Sequence, residues 1–256
     1  MGLNIVITSG GISERIDDVR KITNMSSGKL GATICETMLR EIPNSVDKIY
    51  YVCSAKSVLP HNKEKIECVF TEGVYDLKDI VEQLLQNNRI DYFIHAMAVS
   101  DYGADYISDF DSLSKQIADK VWNFEEITSQ GELQDVIYKI LKNPCDKISN
   151  EKKLSSSKDN MIVALKKTPK VISTIKQLQP SVKLIGFKLL SNVSEEKLVE
   201  KATELMRKNN CDYVVANDLA NIGEGTHKAI IIGADGDKIF VNSKEEIAQE
   251  IVNIVK

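Results

Sequence analysis

The chain has 256 residues, 43% of them apolar, and carries a net charge of -4 from 33 basic and 37 acidic side chains. That balance suits one large α/β domain with a buried core and excludes disorder as the main state. A mildly acidic chain has no general attraction for polyphosphate, so nucleic acid is a poor partner and any phosphate chemistry falls to a local cluster.

The first predicted element is a strand at Asn4-Ile5-Val6-Ile7-Thr8, a β-branched run that stops at Ser9-Gly10-Gly11. Leu30, Ile34, Met38 and Leu39 then fall on one helical face, after Ser26-Ser27-Gly28-Lys29 and before Pro43, which closes the helix. Strands are expected at Lys48–Cys53, Lys65–Phe70 and Tyr92–Ala96, with a helix through Leu77, Ile80, Val81, Leu84 and Leu85. Strands alternating with helices imply parallel pairing and right-handed crossovers. Two further strands, Val182–Phe187 and Asp212–Asn217, flank a helix from Glu195 to Lys208. Ala229–Ile232 and Lys238–Val241 read as a hairpin around Asp235-Gly236, followed by a helix from Lys244 capped by Ser243.

Two regions break the alternation. Tyr102 to Lys147 carries helical patterns near Leu113–Val121 and Leu133–Leu141, and Asn150–Asn160, rich in Ser and Lys, reads as a mobile loop. The expected architecture is a single α/β domain over 1–256, with a doubly wound, mostly parallel Rossmann-like sheet and a C-terminal β-hairpin. A helical and flexible insertion over 102–160 holds a flap. Met1 to Thr8 has no basic segment ahead of a long apolar run, and no stretch reaches the ~18 apolar residues of a membrane span. Five scattered cysteines, Cys35, Cys53, Cys68, Cys145 and Cys211, form no C-x-x-C pair. The expectation is reduced thiols in a cytoplasmic protein with no protein metal site and no membrane contact.

In an open parallel sheet, ligands bind beyond the carboxyl ends of the strands near the switch in strand order. Thr8-Ser9-Gly10-Gly11 presents backbone amides without side-chain bulk, which suits a phosphate, although a tight turn with no ligand explains the glycines as well. Asn24-Met25-Ser26-Ser27-Gly28-Lys29-Leu30-Gly31 gathers hydroxyls, amides and a lysine at a helix start, an anion-binding pattern; capping by Ser26 or Ser27 is the plainer account. Asn24 adds an amide able to donate to a developing oxyanion. After the strand that ends at Ala96, the small residues of Met97-Ala98-Val99-Ser100 let a ligand approach the backbone, and Asp101 can accept a hydrogen bond or hold a hydrated cation. Lys152, Lys153, Lys158, Lys166 and Lys167 form either a solvated face or a lid for a triphosphate. Of the three histidines, His61, His95 and His227, none has a partner at catalytic spacing, and His95 in an apolar strand reads as a satisfied core residue.

Taken in order, Thr8-Ser9-Gly10-Gly11, Ile16-Asp17-Asp18-Val19-Arg20, Ile22-Thr23-Asn24-Met25-Ser26-Ser27-Gly28-Lys29-Leu30-Gly31, Ala98-Val99-Ser100-Asp101-Tyr102, Gly186-Phe187 and Ala216-Asn217-Asp218 resemble phosphopantothenoylcysteine synthetase in its stand-alone form. The resemblance implies a ligase that joins 4'-phosphopantothenate to L-cysteine on the way to coenzyme A. A nucleoside triphosphate, CTP in most bacteria and ATP in animals, forms an acyl-nucleotidyl intermediate with release of pyrophosphate, and the amine of cysteine then displaces the nucleoside monophosphate. CTP is the expected co-substrate, with Mg2+ held mainly by the triphosphate.

By the same resemblance, Asn24 and Lys153 are the expected catalytic residues, and Asn24, Ser26, Ser27, Gly28 and Lys29 hold phosphopantothenate. Ser9, Gly10, Gly11, Ala98, Asp101, Pro169, Lys170, Val171, Ile172, Phe187 and Lys208 face the nucleotide. Ser155 and Ser156 stand where the family's flap carries further lysines, and Lys147 is a rival to Lys153. The family works as a homodimer in which one protomer completes the phosphopantothenate site of the other. Two other readings use the same sheet: a nicotinamide-dependent oxidoreductase, for which the first loop lacks a third glycine and Cys53-Ser54-Ala55 lacks the acidic strand end, and a non-catalytic nucleotide-binding module.

Overall fold

A computed structural model describes residues 2–122, 127–147, 159–223 and 225–256. The backbone divides into two compact units, one of residues 1–12, 23–100 and 169–256 and one of residues 13–22 and 101–168.

The larger unit is built on β1 (Leu3–Ser9), β4 (Val46–Cys53), β5 (Ile66–Phe70), β6 (Tyr92–His95), β9 (Lys183–Leu190), β10 (Tyr213–Gly223), β11 (Thr226–Gly233) and β12 (Lys238–Val241). They form one eight-stranded sheet in the order β12-β11-β10-β9-β6-β1-β4-β5. The six strands from β5 to β10 pair in parallel, and β11 and β12 add an antiparallel edge. Counted along the chain, the parallel strands stand in the doubly wound order 3-2-1-4-5-6, so strand order reverses between β1 and β6.

Side-chain alternation along β1 sends Val6 to one face and Ile5 and Ile7 to the other, all fully buried. On the first face α2 (Val74–Asn87), α5 (Val171–Leu178) and α6 (Glu195–Asn209) bury Val74, Leu77, Val81, Val171, Ile175, Leu198 and Ala202. On the second, α1 (Lys29–Glu41) and α7 (Lys244–Val255) bury Ile34, Cys35, Met38, Ile247, Ile251 and Val252. Each such aliphatic side chain contributes ~1.5–3 kcal/mol as an upper bound, which is why these faces decide the packing. No described helix is long and apolar enough to cross a membrane.

Local chemistry sets the element ends. Ser243 Oγ accepts from Glu246 N at 3.1 Å at the start of α7, and Ser194 Oγ from Lys197 N at 3.3 Å at the start of α6. Gly236, at φ 97°, turns the β11–β12 hairpin at the expected Asp-Gly pair. Cys35, Cys53 and Cys211 are buried, and burial pushes each thiol up to about 12, which suits inert core residues.

In the smaller unit β2 (Ser13–Arg15) and β3 (Lys21–Thr23) form a short ribbon, and β7 (Tyr102–Asp109) pairs antiparallel with β8 (Met161–Lys167). α3 (Phe110–Trp122) and α4 (Gln130–Lys142) lie between β7 and β8 in the chain. Both helices fall on the expected patterns. The two strands were not anticipated, because Tyr102–Asp109 and Met161–Lys167 are far apart in sequence and neither run is bounded by a turn signal that links it to the other. Ser129 and Glu132 close a capping box at the start of α4. The Asp17 carboxylate accepts from Val19 N at 2.8 Å and Arg20 N at 2.6 Å and pairs with Arg20 Nε at 3.2 Å. Asp17 and Arg20 of the sequence motif therefore shape the turn between β2 and β3.

Candidate active site at the sheet's switch point

The carboxyl ends of β1 and β6 hold the site together through backbone. Gly11 bridges Ala98 in parallel, Ala98 N donates to Gly10 O at 2.8 Å, and Ile12 N donates to Ala98 O at 3.1 Å. Asn24 enters the same ladder, with its backbone N donating to Ile12 O at 3.1 Å and its side-chain Nδ2 to Ala98 O at 3.2 Å. The Gly10–Ile12 segment, Asn24 and Ala98, three stretches distant in sequence, thus form one backbone-linked cluster at the switch point. Asn24 Nδ2 carries two protons, and the contact with Ala98 uses one of them.

The glycines around this cluster answer first to packing. A Cβ on Gly11 would stand 2.0 Å from the backbone oxygen of Asn24, and one on Gly31 would stand 2.3 Å from Ser9 Oγ. Gly10 and Gly28 adopt φ 88° and 77°, and both sit against Ser57. The need for glycine here is met by the protein's own close approaches, with or without a ligand.

Gly28 in its left-handed conformation is the N-cap of α1, and no side chain caps the helix there. This corrects the expected cap by Ser26 or Ser27: the helix begins too late for either, and Ser27 Oγ reaches only Lys29 N, at 3.3 Å. Ser26, Ser27 and Lys29 are exposed beside this helix start, whose dipole favours an anion. Ser9, together with Tyr51, Ser54, Ser57 and Val58 that no sequence motif marks, holds the loop. Ser9 Oγ donates to Gly28 O at 2.9 Å, Val58 N donates to Ser27 O at 2.9 Å, Tyr51 OH donates to Val58 O at 2.9 Å, and Ser54 and Ser57 share a hydroxyl bond of 2.8 Å. Their one sequence signal is position, since Ser54 and Ser57 directly follow β4, the neighbour of β1.

Pro169 to Ile172 begin α5, whose start lies at the carboxyl edge of the sheet because the helix runs down to the amino end of β9. Lys170 caps it through its backbone position, with no side-chain cap. Gly186 of β9 admits Ile172 and Leu205 onto the sheet, each within 3.6 Å of where its Cβ would lie. Phe187, half-buried, points to the opposite face. Lys208 is not brought to this cluster: it is exposed in the last turn of α6, next to the amino end of β10 and so at the other end of the sheet. Asp101 lies in the smaller unit, exposed, with its carbonyl accepting from Thr168 N at 3.1 Å. Lys153, Ser155, Ser156 and most of the expected mobile loop lie outside the described residues, whereas Lys147 is exposed with its ammonium 5.5 Å from the ring centre of Tyr106.

His95 is a buried structural residue. Its Nδ1 stands 2.9 Å from Thr8 Oγ1, which also accepts from Met97 N at 3.3 Å, and burial holds the imidazole down to about 4. Midway along β10, where its pairing with β9 ends, the Asp218 carboxylate accepts from Asn192 N and Val193 N at 2.8 Å and from Ala220 N at 2.9 Å, which holds its pKa below the usual carboxylate range. Asp218 of the sequence motif therefore ties the β9–α6 loop to β10, whereas Asn217 Nδ2 stands 3.1 Å from His227 Nε2 of β11. A recess of about 340 Å³ lies elsewhere, lined by Glu36, Leu39, Arg40, His61 and Asn62, where the half-buried Glu36 pairs with the exposed His61 at 2.6 Å.

The family of the DNA/pantothenate metabolism flavoprotein C-terminal domain matches residues 1–126 and 145–256, which include every element of this site. The chain belongs to this family. The coenzyme A biosynthesis bifunctional protein CoaBC of Thermococcus kodakarensis is 28% identical over 251 residues, 98% of this chain and 50% of its own. The chain thus spans about half the length of the curated relatives it matches. The crystal structure of the DNA/pantothenate metabolism flavoprotein from Streptococcus pneumoniae is 30% identical, with a TM-score of 0.78 over 100% of this chain and 98% of that one. A mutant of Cab2 solved in complex with phosphopantothenate-cysteine, 19% identical with a TM-score of 0.64 over 99% of this chain and 86% of its own, shares the fold.

Proposed function

We propose that this chain joins 4'-phosphopantothenate to L-cysteine, using a nucleoside triphosphate, CTP rather than ATP, through an acyl-nucleotidyl intermediate. The observation that carries the reading is the convergence of Asn24, the Ala98 backbone and the uncapped start of α1 at the switch point of a sheet from the coenzyme A biosynthesis family. CoaBC proteins are named for that biosynthesis, and Cab2 has been solved with phosphopantothenate-cysteine.

In this reading the second proton of Asn24 Nδ2 is donated to the carbonyl oxygen of the substrate as negative charge grows on it during attack. The start of α1, with Ser26, Ser27, Gly28 and Lys29, draws in the anionic end of phosphopantothenate. The nucleotide lies along Ser9, Gly10, Gly11 and Ala98, the start of α5 and Phe187, and the charge on its phosphates is assigned to Lys153. Mg2+ travels on the oxygens of the triphosphate; among the described residues no group of three or more His, Cys, Asp or Glu stands together as a protein cage. The enzyme acts as a homodimer whose protomers complete each other's phosphopantothenate sites.

The test is pyrophosphate release by the purified protein with phosphopantothenate and cysteine, comparing CTP with ATP and omitting each substrate in turn. Release that requires phosphopantothenate supports the ligase and names its nucleotide. No release under any combination refutes it.

A further inference from the structure

The hydroxyl of Thr8 touches none of the groups assigned to ligands above, yet it lies directly beneath them. Thr8 is fully buried in β1, and side-chain alternation sets it on the same sheet face as Val6, with His95 of β6 opposite it in register. That face is otherwise apolar, formed by Val6, Val52 and Phe93 under α2 and α5. Valine would fill the same space and bury more apolar surface, so packing alone gives no reason for a hydroxyl here.

Backbone bonding gives the reason. Ala96 N donates to Thr8 O at 3.1 Å and Ala98 N to Gly10 O at 2.8 Å, both toward β1. Alternate amides of a strand point to opposite neighbours, so the amide of Met97, between them, would face β9 in a regular sheet. Pairing of β6 with β9 ends at His95 opposite Gly186, and Met97 is a buried residue whose amide needs an acceptor. Thr8 Oγ1 supplies it at 3.3 Å, and the chain bends at Met97. The hydroxyl is held from its other side by His95 Nδ1 at 2.9 Å, where burial keeps the imidazole neutral. Two contacts on a β-branched side chain leave the hydroxyl one orientation. Immediately after the bend comes Ala98 O, which accepts from Ile12 N at 3.1 Å and from Asn24 Nδ2 at 3.2 Å.

We infer that Thr8 is a positioning residue for the proposed reaction: by holding Met97 N, its hydroxyl fixes the Ala98 carbonyl that aims the Asn24 amide. The inference rests on the reading of Asn24 as donor to the substrate carbonyl. One Nδ2 proton bound to Ala98 O sets the plane of that amide, and with it the direction of the second proton. Loss of the Thr8 hydroxyl leaves the Met97 amide to seek another acceptor, and Ala98 moves with it. A shift of ~1 Å in a positioning group can cost up to ~100-fold in rate.

The experiment is a double-mutant cycle of Thr8→Val and Asn24→Ala, with Thr8→Ser beside it, measured as kcat for pyrophosphate release per folded protein. Thr8→Val is expected to lower kcat roughly 10–100-fold while KM for nucleotide and for phosphopantothenate stays within ~2-fold. Thr8→Ser, which keeps the hydroxyl, is expected to recover most of that loss. In the Asn24→Ala background Thr8→Val is expected to change kcat by no more than ~2-fold, because the route through Asn24 is already gone. An equal drop in both backgrounds overturns the inference, as does wild-type kcat in Thr8→Val. Where Thr8→Val fails to fold, Thr8→Cys, whose thiol is a weak acceptor, takes its place in the cycle under the same criteria. A wild type that releases no pyrophosphate refutes the ligase reading alone. The side-chain amide resonances of Asn24 then decide the positioning role: a shift in the Thr8 variant that Thr8→Ser reverses supports it, and unchanged resonances overturn it.

Discussion

Gly11→Ala puts the close packing of the switch point to the test. The added Cβ would sit 2.0 Å from the Asn24 backbone oxygen, a full 1.0 Å inside the 3.0 Å limit that real Cβ atoms respect, and the obstacle is backbone, not a flexible side chain. Relief requires residues 23–26 to move away from β1, which pulls on the Asn24 N to Ile12 O bond of 3.1 Å and the Asn24 Nδ2 to Ala98 O bond of 3.2 Å. Overpacking of this kind costs ~1–3 kcal/mol, and a weakened pair of hydrogen bonds adds ~1 kcal/mol. For a chain of this size the sum, ~2–4 kcal/mol, lowers Tm by roughly 4–16 °C. The assay is thermal and urea unfolding of Gly11→Ala beside Gly223→Ala, whose Cβ would meet nothing within 4 Å. The control is expected within ~2 °C of wild type, since surface changes usually stay within ~0.5 kcal/mol. A Gly11→Ala protein as stable as Gly223→Ala would show that the two loops do not approach as described.

The remaining predictions concern chemistry and pH. Asn24→Ala is expected to keep nucleotide binding and lower turnover about 10²–10³-fold, the cost of one oxyanion donor, measured as the rate of pyrophosphate release; wild-type turnover would remove Asn24 from the mechanism. Lys153→Gln is expected to impair the nucleotide-dependent step, with KM for the triphosphate rising ~10-fold or more, the cost of one charge-assisted contact, while affinity for phosphopantothenate holds; an unchanged KM would favour Lys147 as the flap lysine. His95 has its pKa lowered in the fold from 6.5 to about 4, so the unfolded chain binds the proton first. Its contribution is intact above pH 6.5 and is lost as pH falls toward 4, reaching roughly 3 kcal/mol. Urea midpoints measured from pH 7 to pH 4 should fall for wild type and fall less for His95→Gln, and parallel curves would refute that assignment.

Much of the architecture was legible along the chain because it is written in local pattern. The β-branched runs that become β1, β4, β6, β9 and β10, the amphipathic spacing of α1, α2 and α6, the Asp235-Gly236 turn and the Ser243 cap all depend on residues within a few positions of one another. Period and capping chemistry carry that information without any knowledge of what packs against it. The motif residues were visible for the same reason. Their purposes were not, since Asp17 and Asp218 stand out in a motif but serve to satisfy backbone donors of nearby loops.

Tertiary structure alone decided which distant segments meet. Pairing of β7 with β8 spans more than fifty residues, and nothing local in either run names its partner. The strand order, which places the reversal between β1 and β6, is set by the sum of helix burial on two faces, and from it follows that Ala98 lies beside Gly11 and Asn24. The same geometry leaves Lys208 at the far end of the sheet, because helix α6 descends from the carboxyl edge to the amino edge before β10 begins. A sequence states which groups are available; the distances between them exist only once the helices have packed.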